Sequence, residues 1–166
     1  MGILRLANLP KMKLRILSIG HKMPDWVLTA CAEYIKRMPR GLSIEIIEIK
    51  PEKRAAGNST DNIQAIEADR LLEAAGDNFL IACDENGQQV NTLKLAEKMR
   101  DWQTLGKNIC FLIGGADGLH PSILQKANWN LGLSQLTLPH AFARVLLCEQ
   151  LYRAQAIIHN HPYHRE

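Results

Sequence analysis

Short apolar runs that alternate with helix-period segments restrict the fold of this chain more than any other feature. KLRILSIG (13–20), LSIEIIEI (42–49), NFLIACD (78–84) and NICFLIGG (108–115) have the length and β-branched content of strands. The first two alternate over part of their length. The last two are apolar at consecutive positions, as in strands covered on both faces. Between the runs, PDWVLTACAEYIKRM (24–38) sets Val27, Cys31, Tyr34, Ile35 and Met38 at helical spacing. LKLAEKMRDW (93–102) does the same with Leu95, Ala96, Met99 and Trp102. A further helix is expected from Asp61, where Asp61 and Gln64 resemble a capping box, to about Ala75, with Gly76 as its stop. ENGQQ is expected to turn, and KPEKRAAGNST (50–60) to form a mobile loop. After Pro121 a short helix, a fifth strand near 129–134 and a long helix over 141–157 complete the pattern. Such alternation predicts a single α/β domain, a mostly parallel sheet with helices on both faces, and 166 residues suit one domain.

Composition excludes several classes. With 46% apolar and 22% charged residues the chain is globular and not disordered. No apolar run approaches the roughly 20 residues of a membrane span. MGILRLANLPK lacks a secretory pattern and is expected to be a loose extension over residues 1–11, with the folded domain over 12–166. Cys31, Cys83, Cys110 and Cys148 are far apart and form no C-x-x-C pair, so free thiols in a reducing cytoplasm are expected. A net charge of +3 permits an anionic partner without demanding one.

Ligands in open parallel sheets bind at the carboxyl ends of strands. Three segments fall there: Cys83–Asp84–Glu85, the glycine loop from Gly114 to Gly118, and Ser134 to Leu138. The glycine loop is neither G-x-G-x-x-G nor Walker A, which disfavours a dinucleotide or a nucleoside triphosphate. It is also compatible with a plain tight turn. The last helix carries two apolar stripes, Leu147/Leu151/Ala154/Ile158 and Val145/Cys148/Tyr152/Ala156. One buried face needs a single stripe, so the second is expected to meet another chain, or else to be buried within its own domain. The terminal HNHPYHRE holds His159, His161 and His164, yet without H-E-x-x-H or a cysteine partner no metal site is expected. His140 is expected to cap the helix that follows it.

FLIGGADGLH, LSQLTLPHAFARVLLCEQLYRA and the terminal HPYHRE, in that order, resemble the RlmH family. These are SPOUT-class methyltransferases acting on a pseudouridine in large-subunit (23S) ribosomal RNA. KLRILSIGHKMPDW and IEIIEIKPEKR are similar to the start of the same family, so the resemblance spans residues 12–166. It implies a C-terminal trefoil knot, a homodimer, S-adenosylmethionine as methyl donor, and a cytoplasmic enzyme that methylates N3 of the base on assembled ribosomes, needing neither metal nor membrane. Position by position it implies donor binding at Cys83, Gly114, Leu133, Ser134, Gln135, Leu136, Thr137 and Leu138. Cys83 stands where the family commonly has leucine.

The same resemblance places Tyr163, His164, Arg165 and Arg144 on the catalytic side. His164 is the expected base for the N3 proton, with Tyr163 orienting base or ring, Arg165 on phosphate or a uracil carbonyl, and Arg144 on phosphate. Two rivals remain: a ribosome-binding module without catalysis, and a metal-dependent hydrolase built on the terminal histidines.

Overall fold

The structure, a computed structural model, describes residues 11–20 and 22–165, leaving out the side chain of His164. The expected extension therefore lies, but for Lys11, outside the described residues. Five strands, β1 (Met12–Ile19), β2 (Leu42–Ile49), β3 (Phe79–Gln89), β4 (Ile109–Ile113) and β5 (Trp129–Gly132), form one sheet in the order β2-β1-β4-β3-β5. Every pairing is parallel. Helices α1 (Asp25–Ile35), α2 (Thr60–Ala75), α3 (Thr92–Trp102), α4 (Pro121–Lys126) and α5 (His140–Ile158) connect and cover it.

Side chains that alternate along β1 divide the core between two faces. Leu14 and Ile16 join Ile81, Ile109 and Phe111 beneath α1, α3 and α5, where Val27, Met99 and Leu147 close over them. Leu17 and Ile19 point the other way, with Ala82 and Leu112, onto Ala68 and Leu71 of α2 and Ile123 of α4. Each fully buried Leu, Ile or Phe stabilises the fold by about 1.5–3 kcal/mol. Two buried layers explain why β4 is apolar at all five positions.

Local chemistry departs from expectation at four places. The cap of α2 is Ser59, whose hydroxyl accepts from Asn62 N at 3.1 Å, and Asp61 sits in the first turn instead. ENGQQ does not end β3. The strand continues to Gln89 through an irregularity between Cys83 and Gln88, where Asp84 Oδ2 accepts from Asn86 N at 3.0 Å and the pairing with β5 resumes. His140 caps nothing: Pro139 precedes α5 without a side-chain bond, and His120 caps α4 by accepting from Ser122 N at 3.2 Å. The loop before α2 is anchored along its first part, with Glu67 Oε1 accepting from Glu52 N at 3.0 Å and Arg70 bonding both Lys50 O and Glu52. Gly76, at φ +61°, stops α2 where expected.

The two stripes of α5 need no second chain. Leu147, Leu151 and Ala154 are fully buried, and so are Cys148 and Ala156, because α5 lies in a trough between α1 and α3. Cys31, Cys110 and Cys148 are buried free thiols, and Cys83 is half-buried.

Candidate functional site

The carboxyl ends of β3, β4 and β5 enclose a cavity of about 340 Å³, within the range of roughly 300–1,000 Å³ usual for small-molecule sites. Of the residues expected to bind a donor, Cys83, Gly114, Leu133, Ser134, Leu136 and Leu138 line it. Gln135 and Thr137 belong to the same loop but not to the wall. His140 and Ala143 complete the enclosure from the first turn of α5. Their i, i+3 spacing directly after the LTLP loop is the sequence signal for both.

Main-chain geometry shapes this site. A side chain on Gly114 would begin 2.5 Å from the Gly118 carbonyl carbon, so only glycine lets the two backbone segments meet. Gly118 N donates to Gly115 O at 3.1 Å, and Gly118 takes φ +79°, which closes the turn. The loop is tied from outside: Arg54 bonds Asp117 Oδ2 at 2.5 Å and Gln64 Nε2 donates to Asp117 O at 2.6 Å. Leu136 N donates to Ser134 Oγ at 2.9 Å, leaving the Leu136 side chain 77% exposed beside the cavity. A second cavity of about 250 Å³ adjoins the first across the glycine loop.

Burial pushes the Cys83 thiol up to about 12 from an ordinary value near 9. A raised thiol keeps its proton in the folded state, so the stability it contributes is present below about pH 9 and fades as pH rises toward 12. Cys83 should thus resist iodoacetamide at pH 8 while folded and react at once in urea. Mass mapping after a brief pulse checks this, and labelling of the folded chain as fast as the unfolded would contradict it.

Of the four residues expected on the catalytic side, Arg144, Tyr163 and Arg165 are described, and none of these three lines the cavity. Arg144 is 1% exposed: its Nε donates to Ser18 Oγ and its Nη1 to Glu48 Oε1, both at 3.1 Å, and its Nη2 is buried without a partner. In this chain it locks β1 to β2 beneath the site and does not face a phosphate in solvent. Beyond α5, Asn160 at φ +54° reverses the chain into a 3-10 turn, Pro162–Arg165. Tyr163 folds back along α5, its hydroxyl 3.2 Å from Glu149 Oε1, its ring 4.8 Å from that of Tyr152 and 4.7 Å from the Arg153 guanidinium. Burial first, then the Tyr34 hydroxyl and the Glu149 carboxylate, raise its phenol well above the ordinary value. Glu149 stands nine residues along α5 from His140, roughly 13 Å, and none of the described tail side chains lines either cavity. Arg165 is exposed, and the His164 imidazole lies outside the described residues.

The terminal histidines are engaged locally: His159 Nδ1 lies 2.9 Å from Gln155 O, and His161 Nδ1 accepts from Tyr163 N at 3.3 Å. Among the described residues no three His, Cys, Asp or Glu side chains converge as a metal site, and no helix is long and apolar enough to cross a membrane. Trp26 and Phe142, 48% and 54% exposed, stack at 5.2 Å beside the start of α5.

A family described as "Predicted SPOUT methyltransferase" matches residues 12–164. The chain is 59% identical over 155 residues to a ribosomal RNA large subunit methyltransferase H of Methylobacillus flagellatus, covering 93% of this chain and 100% of that one. A protein of the same name from Neisseria meningitidis serogroup C is 49% identical over 156 residues, covering 93% and 100%. Among solved structures, a probable methylase family protein from Haemophilus influenzae superposes with a TM-score of 0.54 at 16% identity, over 94% of this chain and 71% of that one. A probable methyltransferase from Bordetella pertussis gives 0.54 at 15% identity, over 88% and 96%. At such identities these two structures speak for the fold.

Proposed function

The chain belongs to the SPOUT methyltransferase family, and from that membership we propose that it transfers the methyl group of S-adenosylmethionine to N3 of a pseudouridine in 23S ribosomal RNA. The observation that carries this is a formed cavity at three strand ends, lined by six of the eight positions that the resemblance implies for the donor, in a chain similar over 93% of its length to a ribosomal RNA large subunit methyltransferase. The alternative of an inactive ribosome-binding module has no observation in its favour.

The cavity suits the donor. Leu133, Leu136, Leu138 and Ile113 offer apolar surface to an adenine ring, the Gly114 cradle brings main chain close, and Asp84 and Glu85 stand at the wall for positive charge. Bound there, S-adenosylmethionine supplies a methyl carbon already made electrophilic by its positive sulfur. The residues then have positioning left to do, which is worth several orders of magnitude in rate. They must also take up the N3 proton. We assign that to the His164 imidazole, whose ordinary pKa suits neutral pH. Arg165 meets a phosphate or a uracil carbonyl. Tyr163, held protonated, orients its neighbours, and Arg144 is a positioning residue.

Because the tail is held against the middle of its own α5, the active unit is a homodimer in which one subunit's tail serves its partner's cavity. The exposed Trp26–Phe142 pair beside the start of α5 supports a covered face there. The C-terminal trefoil knot is part of the same family reading, with residues 12–166 as the catalytic unit. With a charge of only +3, binding to naked RNA is weak, and the substrate is the assembled ribosome in the cytoplasm, recognised by shape as well as charge.

The test incubates the chain with radiolabelled S-adenosylmethionine and ribosomes lacking the modification, then maps the label by mass. Label on N3 of a pseudouridine is expected. Ribosome binding without saturable donor binding would replace this proposal with the inactive module.

A further inference from the structure

The second cavity contains a buried carboxylate with one oxygen left over. Glu67, on α2, is 8% exposed, yet it lines this cavity. Its Oε1 accepts from Glu52 N at 3.0 Å and anchors the preceding loop. Its Oε2 accepts from no described residue and lies 3.4 Å from where a side chain on Gly115 would begin. That same side chain would also meet Ile19 Cγ2 at 3.1 Å, so glycine at 115 keeps the approach to Oε2 open. Oε2 is not among the side-chain oxygens closed off from solvent, so on a residue otherwise buried it is the carboxylate's open acceptor at the cavity wall.

The cavity's position identifies that donor's carrier. Gly115, Ala116, Asp117 and His140 line both cavities, so only the glycine loop and one side chain stand between the donor site and this space. Whatever receives the methyl group must occupy the space next to it. A pyrimidine joined to its ribose through C5 carries N–H groups at both N1 and N3, whereas one joined through N1 carries a single ring N–H. An acceptor that engages N1–H while N3 faces the donor therefore separates pseudouridine from uridine.

We propose that the second cavity seats the acceptor base and that Glu67 Oε2 accepts its N1–H, making Glu67 the residue that selects pseudouridine over uridine. This rests on the methyltransferase reading above and adds the recognition of the base to it. A hydrogen bond to a charged acceptor corresponds to about 10- to 100-fold in discrimination.

The test compares the full chain with Glu67→Gln on two substrates: ribosomes bearing pseudouridine at the target position, and ribosomes bearing uridine there. Glutamine can keep the bond to Glu52 N and turns a donor toward the cavity. The wild type should prefer pseudouridine by about 10- to 100-fold. Glu67→Gln should lose that preference through a slower reaction on pseudouridine, with its rate on uridine, its donor binding and its melting temperature unchanged. Gly115→Ala, which crowds Oε2 without removing it, should also slow the reaction on pseudouridine, read at saturating donor because Gly115 lines the donor cavity too. A preference left intact in Glu67→Gln, with the wild type active, overturns this proposal alone. A wild type that transfers no methyl to either substrate overturns the functional reading and this proposal with it.

Discussion

A chain ending at Pro162 is expected to bind S-adenosylmethionine as the full chain does and to transfer methyl at least about 100-fold more slowly, the usual loss when a general base is removed. The two halves of this expectation have separate origins. Every residue lining the donor cavity precedes Arg144, so binding has no direct need of the tail. Tyr163 lies over the end of the helical layer, against Tyr34 of α1 and Glu149, Tyr152 and Arg153 of α5, so its removal uncovers the Tyr34–Tyr152 edge and leaves the cavity walls in place. Calorimetric titration and methyl transfer to ribosomes measure the two quantities. A mixing experiment separates the subunits' contributions. Gly114→Val displaces the glycine loop that forms the cavity wall, since its side chain would begin 2.5 Å from the Gly118 backbone. Equal amounts of this variant and the truncated chain, each inactive alone, should on subunit exchange regain about a quarter of full activity if symmetric dimers share sites across subunits. No recovery would place each tail at its own cavity.

Arg144→Ala is expected to destabilise the fold by about 3 kcal/mol, the lower end for breaking a buried ion pair, and to lower the melting temperature by about 6–12 °C for a chain of this size. The lower end applies because Glu48, 38% exposed, can regain water once its partner is gone. Ser18 cannot, being fully buried. Arg144→Lys should fall between the two, since an ammonium on a single stem cannot hold Ser18 and Glu48 with a planar fork. Thermal and urea unfolding measure these differences. A loss below about 1 kcal/mol would mean that the unpartnered Nη2, at a cost of about 1–3 kcal/mol, cancels the other two bonds.

The parallel sheet was legible because burial on both faces leaves a chemical mark: β4 has no polar position to spare. The donor cavity was legible for a related reason, since strand ends in such a sheet converge by geometry and glycines there have few other uses. What escaped were features decided between distant segments. Ser59 outcompeted Asp61 as a cap, a choice fixed by where the anchored loop enters the helix. The two stripes of α5 left a second chain and burial within the domain both open; α1 and α3 flank the helix on both sides, and helical spacing cannot tell a neighbour in the same chain from one in another. Arg144 looked available for phosphate. Its burial depends on Ser18 and Glu48, whose proximity only the sheet order reveals. Glu67 carried no signal, being one carboxylate among several on a polar helix.

The sheet order also governs the timing of folding. Because β1 lies between β2 and β4, and its Leu14 and Ile16 are covered partly by α5, the first hairpin-sized portion of the chain is made long before its covering is. Roughly a hundred residues separate the end of β2 from the end of α5, so at about 5–20 residues per second a growing chain leaves the part that α5 covers open for about 5–20 s. During synthesis that part of the sheet stays open until the last helix to emerge closes it.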